Sequence, residues 1–165
     1  MEATIAARPI SARPISARLA HVDESCDLLA RDVTRLAPHS TYLVTVSVPD
    51  DGQPRQALLA AGRQAVCAIC HLFEGVPADH GIAIHHTDIV LQSFVPIAGD
   101  VDAMVYLEID RDNPRHFLWQ YEATIEFRQG GNRVARGYIK CMTLRRTVGD
   151  PTMWPHHTRL PAVAA

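Results

Sequence analysis

The sequence predicts an α+β fold in which an antiparallel sheet wraps around one long central helix. A strand-like run at 41–48, TYLVTVSV, is rich in β-branched residues. The segment 57–77, ALLAAGRQAVCAICHLFEGVP, is apolar around most of its helical circumference, which is typical of a buried helix. A meander of four long strand-like runs follows with no second helix, and this order of elements indicates the α+β class.

The helix has clear boundaries and an unusual centre. The turn-forming sequence PDDGQP, residues 49–54, precedes it, and Gly75 and Pro77 end it after about residue 73. Arg63 and Gln64 lie in its middle. A guanidinium within a buried helix is costly unless a partner compensates its charge. A binding site is one explanation for its presence.

Four runs after the helix alternate between apolar and polar residues. The first, 82–95, is long enough to bend or to contain a bulge. The second, 101–110, carries on one face Val101, Ala103, Val105, Leu107 and Ile109. The third, 117–129, carries on one face Phe117, Trp119, Tyr121, Ile125 and Phe127. A Gly-Gly-Asn hairpin turn leads to the last run, 133–146, with a predicted common face of Val134, Tyr138, Met142 and Leu144.

The chain of 165 residues is long enough for one domain, which we place at 21–148. Residues 1–20 contain RPISA twice in tandem and lack the apolar centre of a secretory signal, so they predict a disordered N-terminal lead. Residues 149–165 hold three prolines and predict a C-terminal tail.

Charge and cysteine content exclude several kinds of partner. The 16 basic and 18 acidic residues nearly balance, so we expect no nucleic-acid partner and no binding to an anionic membrane surface. The sequence has no apolar run of 18 residues, so we expect no membrane span. The four cysteines fit reduced thiols in a cytoplasmic protein.

One strand, a long buried helix and a following set of long strands together form the plan of the hotdog fold. Two hotdog units usually join, and their sites form at the interface between them. A single unit in this chain therefore predicts a homodimer with an interface pocket.

The block RQAVCAICHLFEGVP resembles the signature of the A-factor biosynthesis hotdog domain family. The matching positions are Arg63, Gln64, Ala65, His71, Gly75, Val76 and Pro77. Further upstream the family's opening is matched by His21, Asp27, Leu28 and Leu29. The resemblance covers about residues 21–147. It departs from the family at Ala60, where the family usually has a glutamate three residues before the arginine.

This resemblance implies an enzyme of secondary metabolism that acts on an acyl or β-ketoacyl thioester. The thioester would be carried by an acyl carrier protein or by coenzyme A, and the reaction would be acyl transfer, dehydration or cyclisation. The central helix lacks the family's glutamate, so a second function, of a different class from an enzyme, stays open. In that alternative the protein is a non-catalytic acyl-binding or scaffold hotdog protein.

The predicted substrate-binding residues are Arg63, Gln64, Trp119 and Tyr121. Arg63 can clamp a phosphate or carboxylate with its planar guanidinium, or it can be a paired structural arginine. Gln64 lies beside it on another helical face. Trp119 and Tyr121 share a strand face and form either an aromatic wall of the pocket or part of the core.

The predicted catalytic residues are His71, His86 and Asp88. His71 can act as a general base near neutral pH, or it can pair with the last carbonyls of the helix. His86 and Asp88 share one face of their strand, so they form either an oriented acid–base pair or a solvated surface.

The CAICH sequence at 67–71 also fits two kinds of metal site. It matches the CxxCH pattern of covalent haem attachment, but that chemistry requires export and the sequence shows no signal peptide. Cys67, Cys70 and His71 could bind zinc with His85 or His86, but a second tight ligand pair is missing. We therefore predict no metal and no cofactor, with the cysteines packed as core residues.

Overall fold

The protein is described by a computed structural model over residues 12–23, 27–36, 40–110 and 120–144. Within these residues the elements are β1 (Arg13–Pro14), α1 (Ala17–Ala20), β2 (Ala30–Leu36), β3 (Thr41–Val48), α2 (Pro54–Leu72), β4 (Gly81–Leu91), β5 (Gly99–Asp110), β6 (Gln120–Gln129) and β7 (Asn132–Leu144). The strands form one antiparallel sheet, and α2 packs on one of its faces. The predicted α+β architecture is confirmed.

The strand order in the sheet is β1-β2-β3-β5-β6-β7-β4. Strands β5, β6 and β7 follow one another as hairpin neighbours. Strand β4, however, pairs with β7 at the far edge rather than with β5, so the predicted simple meander is wrong at this strand. Helix α2 carries the chain from β3 across the sheet to this edge.

Helix α2 owes its position to an apolar surface that covers most of its circumference. Pro54 is at the first turn, where a missing N–H costs nothing. The buried positions extend over four turns and comprise Ala57, Leu58, Ala61, Gly62, Gln64, Ala65, Val66, Cys67, Ala68, Ile69 and Cys70. The helix ends at Leu72 with Phe73 as its C-cap, and Gly75 then adopts a left-handed φ of 75°. The predicted helix end is confirmed.

Strict alternation places one face of each central strand in the core. In β3 the buried residues are Tyr42, Val44, Val46 and Val48. In β5 they are Val101, Ala103, Val105 and Leu107, as the sequence predicts. In β6 they are Tyr121, Ala123, Ile125 and Phe127. Because the helix covers only this face, the opposite face of the sheet carries the polar residues.

The predicted face of β7 is right at Val134, which is buried, and wrong by one residue from Tyr138 onward. The buried positions are Ala135, Gly137, Ile139, Cys141 and Thr143, whereas Tyr138, Met142 and Leu144 are only partly buried. A register shift beside Phe127 changes the alternation, and Val134 and Ala135 are buried in succession. Small inward residues leave room for the helix, so the larger apolar side chains lie on the opposite face.

The predicted disordered lead, 1–20, is wrong for residues 12–20. Strand β1 pairs with β2, and the Ile15 N–H donates to the Arg31 carbonyl at 2.7 Å. Ile15 and Ala20 are buried, and Ser16 caps α1. Neither β2 nor its pairing with β1 was predicted from the sequence.

Arg13 attaches this N-terminal segment to the end of α2. Its guanidinium donates to the Leu72 carbonyl at 3.1 Å and lies 4.9 Å from the centre of the Phe73 ring. A cation beside the last carbonyls of a helix is favourable because those carbonyls carry partial negative charge. The N-terminal segment thus stabilises the end of the central helix.

Several predictions concern residues outside the described ranges. These are residues 1–11 of the lead, the tail at 149–165, and Phe117 and Trp119 in the third run after the helix. Within the described ranges, no helix combines the length and apolar character needed to cross a bilayer.

We expect Ile15→Ala to lower the free energy of unfolding by about 2 kcal/mol, because it removes buried side-chain volume. Chemical denaturation followed by circular dichroism measures the change. Arg18→Ala, at an exposed position of α1, is the control and should change stability by less than about 0.5 kcal/mol. Equal stability of the wild type and Ile15→Ala would show that this segment is not docked.

Candidate functional site

A small pocket lies between the first half of α2 and the edge of the sheet at β4. Its lining residues come from four elements and comprise Leu58, Leu59, Gly62, Thr87, Asp88, Ile89, Ile125, Phe127, Gly137 and Ile139. The deep residues Leu58, Ile125, Phe127 and Ile139 are buried. Leu59, Thr87 and Asp88 are more exposed and mark the mouth of the pocket. Its interior is therefore apolar, and its opening lies beside the edge strand.

Two glycines shape the pocket. A Cβ at Gly62 would lie 3.1 Å from Ile125 Cδ1, so the helix backbone almost touches the sheet there. A Cβ at Gly137 would lie 3.4 Å from Phe127 Cε2, at ordinary contact distance. Gly62 therefore permits close packing, and Gly137 leaves a space beneath the helix.

Arg63 lies on the partly exposed stripe of α2 and is not among the residues that line the pocket. Arg55, Leu59 and Arg63 are four residues apart and therefore share one helical face. Arg63 is half-buried. Burial raises the pKa of the Cys67 thiol, and the nearby positive charge of Arg63 acts in the opposite direction. The guanidinium is thus one helical turn from a residue that lines the mouth.

Gln64 points away from the pocket and holds the chain before β2. Its Oε1 accepts hydrogen bonds from the Leu29 N–H at 2.7 Å and the Ala30 N–H at 3.0 Å. Its Nε2 donates to the Asp27 carbonyl at 2.8 Å. Because Gln64 is only 5% exposed, these contacts give it a structural role. The structure does not place Gln64 in the pocket as the prediction required.

His71 lies in the last turn of α2, where it contacts a second histidine. Its Nδ1–H donates to the Val76 carbonyl at 3.1 Å, which leaves Nε2 as the acceptor of the neutral ring. The His21 Nε2 lies 2.8 Å from this nitrogen and donates to it. Both ring nitrogens of His71 are thus engaged. His71 is also nine residues beyond Gly62, about 14 Å along the helix axis.

Burial keeps this histidine pair neutral. Desolvation, together with the neighbouring His71, lowers the pKa of His21 to about 4. Desolvation also lowers the pKa of His71, and nearby His80 and Arg18 act in the same direction. Hydrogen bonds to the backbone at Val76 and Pro77 act in the opposite direction but do not outweigh burial. The pair therefore serves as a neutral contact between the N-terminal segment and the helix.

His86 and Asp88 share one face of β4, as predicted, but that face is not the pocket side. Successive side chains of β4 point to opposite faces of the sheet, and Ile89 is buried in the core. The Asp88 side chain therefore points to the outer face and is exposed. Asp88 borders the pocket through its backbone, whose carbonyl lies 3.6 Å from the Cβ position of Gly137. The His86 ring packs edge-on against Tyr138 with centroids 5.8 Å apart.

A polar cluster on the same outer face surrounds His86. Lys140 and Glu122 form an ion pair at 2.7 Å, and the Tyr138 hydroxyl donates to Glu122 at 2.5 Å. These hydrogen bonds lower the pKa of Glu122 and raise that of Lys140. Because both charges are solvated, we interpret the cluster as surface pairing between neighbouring strands.

Tyr121 lies in the core at 1% exposure, and its ring does not line the pocket. The predicted aromatic wall therefore lacks Tyr121, and Trp119 lies outside the described residues. Phe127, six residues later in β6, is the aromatic residue that lines the pocket instead.

The cysteines of the CAICH sequence are buried in the core with Cys141. Burial raises the pKa of Cys67, and a hydrogen bond between the Cys70 and Cys141 thiols, together with burial, raises that of Cys70. Protonated thiols are poor nucleophiles and poor metal ligands. Across the described ranges, no three histidine, cysteine or acidic residues are arranged to hold a metal ion.

The structure places Arg63 one helical turn beyond Leu59 of the mouth, although Arg63 itself does not line the pocket, and it separates His71, His86 and Gln64 from the pocket. The pocket residues that the sequence analysis missed are chiefly Gly62, Gly137 and Phe127. Gly62 offered a signal, because a glycine inside a helix costs about 1 kcal/mol relative to alanine and often has a packing reason. Gly137 offered none, since its role depends on the register of β7.

We expect Gln64→Ala to lower the free energy of unfolding by about 3 kcal/mol, because it leaves two backbone N–H groups without their acceptor. Denaturation in urea measures the loss. The control is Gln56→Ala, an exposed glutamine on the same helix, which should stay within about 0.5 kcal/mol of the wild type. Similar values for both variants would contradict the structural role of Gln64.

The histidine pair predicts that stability falls as the pH falls from 6.5 to 4. In this window the unfolded chain, with a histidine pKa near 6.5, binds protons that the folded chain, with His21 near 4, does not. Thermal unfolding between pH 7.5 and 4 measures the slope. A His21→Gln, His71→Gln double variant should have a shallower slope, and the exposed His85→Gln control should keep the wild-type slope. An unchanged slope in the double variant would exclude the pair as its cause.

Comparison with known proteins supports the fold and goes no further. No protein-family model matches the sequence, and no curated protein matches it. A Helicobacter felis protein shares the fold with a TM-score of 0.52 at 10% identity, over 81% of this chain and 92% of that one.

Two thioesterase-related structures are also similar. One is a mutant thioesterase from Pseudomonas aeruginosa, with a TM-score of 0.49 at 7% identity over 70% of this chain and 81% of that one. The other is a candidate thioesterase from Lactococcus lactis, with a TM-score of 0.48 at 12% identity over 88% of this chain and the whole of that one. The antiparallel sheet packed on one long helix, with its strand order, identifies this protein as having the hotdog fold.

Proposed function

We propose that the protein acts on an acyl thioester whose acyl group enters the pocket between α2 and the edge of the sheet. The observation that carries this proposal is the apolar interior of the pocket, which ends in Ile125, Phe127 and Ile139. Burial of an acyl chain against such side chains gives a favourable transfer free energy. The polar part of the substrate would remain at the mouth.

Arg63 is suited to hold that polar part. Acyl carriers and coenzyme A present phosphate groups, and a guanidinium binds phosphate with two parallel hydrogen bonds. Arg63 lies on the exposed stripe of the helix, one turn from Leu59 at the mouth. We therefore assign to Arg63 the anionic portion of the carrier or substrate.

The start of α2 supplies donors for the thioester carbonyl. Its N-cap residue, Gln53, makes no side-chain capping bond, and the N–H groups of Arg55 and Gln56 belong to the first turn. Such groups carry partial positive charge and can stabilise an oxyanion that forms during acyl chemistry. Leu58, which lines the pocket, directly follows this first turn.

A second copy of the chain would cover the mouth. Strand β4 is 11 residues long and lies at the edge of the sheet. The nearby exposed apolar residues are Val90, Leu91, Phe94 and Val95. A long apolar edge invites pairing with another strand. Antiparallel pairing of two β4 strands around a twofold axis would join two sheets and place both pocket mouths at the interface.

The nature of the reaction depends on a group that handles the proton. His86 and Asp88 are the predicted pair, and their side chains lie on the outer face of the edge strand, away from the pocket interior. Acyl transfer, dehydration or cyclisation of a β-ketoacyl group would each need such a group.

A second candidate function is a non-catalytic acyl-binding protein. One observation favours it: the carboxylate of Asp88 points away from the pocket, and Asp88 is the only acidic residue among the described lining residues. Ala60 also leaves the helix without a carboxylate at that position. In this case ligand binding persists while turnover is absent.

Binding of butyryl-coenzyme A and its non-hydrolysable thioether by calorimetry tests the proposal. Arg63→Ala should weaken binding by about tenfold or more, since it removes charge-assisted hydrogen bonds. Arg31→Ala, an exposed arginine on β2 near the opposite edge of the sheet, is the matched control and should bind as the wild type does. Absence of saturable binding by the wild type would refute the proposed function.

Thiol release and product mass from butyryl- and acetoacetyl-coenzyme A separate the two candidates. An enzyme should turn over; a loss of turnover without a loss of binding in Asp88→Asn or His86→Gln would support the predicted pair, and unchanged turnover in both would exclude it. Binding by the wild type with no release of thiol and no change of substrate mass would favour the acyl-binding protein. Light scattering on the same sample should give twice the mass of one chain.

A further inference from the structure

We infer that residues 13–22 form an N-terminal strap that is docked on the end of α2 at neutral pH and detaches in mild acid. The contact between His21 and His71 is the part of the strap that responds to pH. Detachment is local, so the sheet and α2 stay folded. The inference is independent of the proposed acyl function.

Few contacts hold the strap in place. Strand β1 is two residues long, and the Ile15 N–H donates to the Arg31 carbonyl at 2.7 Å. Ile15 and Ala20 are the buried side chains of the strap, and Arg13 donates to the Leu72 carbonyl. Helix α1 has four residues, too few to be stable without its contacts to α2. The strap therefore docks and detaches as one unit.

The rest of the fold does not need the strap. Strand β1 is the outermost strand, so its loss leaves β2-β3-β5-β6-β7-β4 paired. Helix α2 has its own contacts with the sheet, including the close approach of Gly62 to Ile125 and Ile139. Opening of a peripheral segment with few buried contacts costs less free energy than global unfolding. The strap is thus the part of this region that opens first.

The geometry of the histidine contact requires a neutral His71. Its Nδ1–H donates to the Val76 carbonyl at 3.1 Å, and its Nε2 accepts from His21 Nε2 at 2.8 Å. An imidazolium has no lone pair, so a proton on His71 Nε2 replaces this acceptor by a second donor. The two rings then repel each other, and the strap loses its contact with the last turn of α2.

Basic groups surround the pair. Burial lowers the pKa of His71, and His80, in the loop after α2, and Arg18 of α1 act in the same direction. Burial, followed by the neighbouring His71, lowers the pKa of His21 to about 4. Arg13 lies at the same end of the helix. A proton on the docked pair therefore adds positive charge to surroundings that are already basic.

The acidic groups at this end of the helix have another partner or are solvated. Glu74 accepts a hydrogen bond from the Tyr42 hydroxyl. Asp23 and Asp79 are exposed, so water and salt screen their charges. Ordinary carboxyl groups also stay ionised down to about pH 5. We therefore assign the pH response of the strap to its histidines.

The sign of the response follows from the two states of the strap. In the detached strap His21 is solvated, with a pKa near 6.5, whereas the docked His21 has a pKa of about 4. The detached state binds more protons between these values, so lowering the pH favours it. Between pH 7.5 and 5 the equilibrium shifts by roughly thirtyfold through His21, and His71 adds to the shift. Detachment also relaxes the left-handed φ of 55° at His21.

Amide hydrogen exchange of the full-length protein at pH 7.5 and 5 tests the inference, after correction for the pH dependence of intrinsic exchange. The reporters are the hydrogen-bonded N–H groups of Ile15, Ala20 and Val22. Their protection factors should lie well below those of β5 and β6 at both pH values. They should fall by roughly thirtyfold at pH 5 or vanish. Low concentrations of urea should barely change them, because local opening exposes little surface.

Three variants identify the group that responds to pH. The His21→Gln, His71→Gln double variant removes both titrating rings, so strap protection should lose most of its pH dependence, whatever its level at pH 7.5. Ile15→Ala weakens docking without altering the histidines, so it should lower protection at both pH values and keep the pH response. His85→Gln, at an exposed position on β4, is the matched control and should behave as the wild type does.

The same data can overturn the inference in three ways. Strap amides that share the protection factors and the urea dependence of β5 and β6 would show that the strap opens only by global unfolding. Equal strap protection at pH 7.5 and 5 would show that the contact does not respond to pH. An undiminished pH response in the double variant would exclude the histidine pair as its source.

Discussion

The close approach of α2 to the sheet at Gly62 is the constraint on which the rest of the structure depends. Without a side chain there, the helix backbone rests on Ile125 and Ile139. This contact fixes the height of the helix above β6 and β7, and it therefore fixes the size of the space left over Gly137. The cost of a glycine inside a helix, about 1 kcal/mol, is small beside the apolar packing that it permits.

The adjacent residues Arg63 and Gln64 show how one helix serves both fold and function. They lie on different faces, so Gln64 reaches the chain before β2 while Arg63 lies one helical turn from Leu59 at the mouth of the pocket. The far end of the helix is stabilised separately, by Arg13 at the Leu72 carbonyl and by the contact between His21 and His71. The helix end that carries the histidines thus has a structural role, and the end near Gly62 carries the candidate site.

Much of the fold could be predicted from the sequence, because the apolar periodicity of α2, β3, β5 and β6 is a local property. The face of β7 could not, since it depends on a register shift and on small residues such as Gly137 that carry little hydrophobic signal. The docking of Ile15 depends on pairing with β2, which no short-range pattern reveals. Arg63 was identifiable as a candidate because a guanidinium interrupts an otherwise apolar helix, although it proves to be only partly buried. The roles of Gln64 and His71 were not, because their partners are distant in sequence.

The most direct test of the account locates the acyl group itself. Intermolecular NOEs can be measured between a ¹³C-labelled butyryl thioether of coenzyme A and the methyl groups of the protein. The account predicts contacts from the acyl chain to Ile125 and Ile139, at the inner end of the pocket. Contacts confined to residues around His21 and His71, or to the outer face at Tyr138, would contradict it.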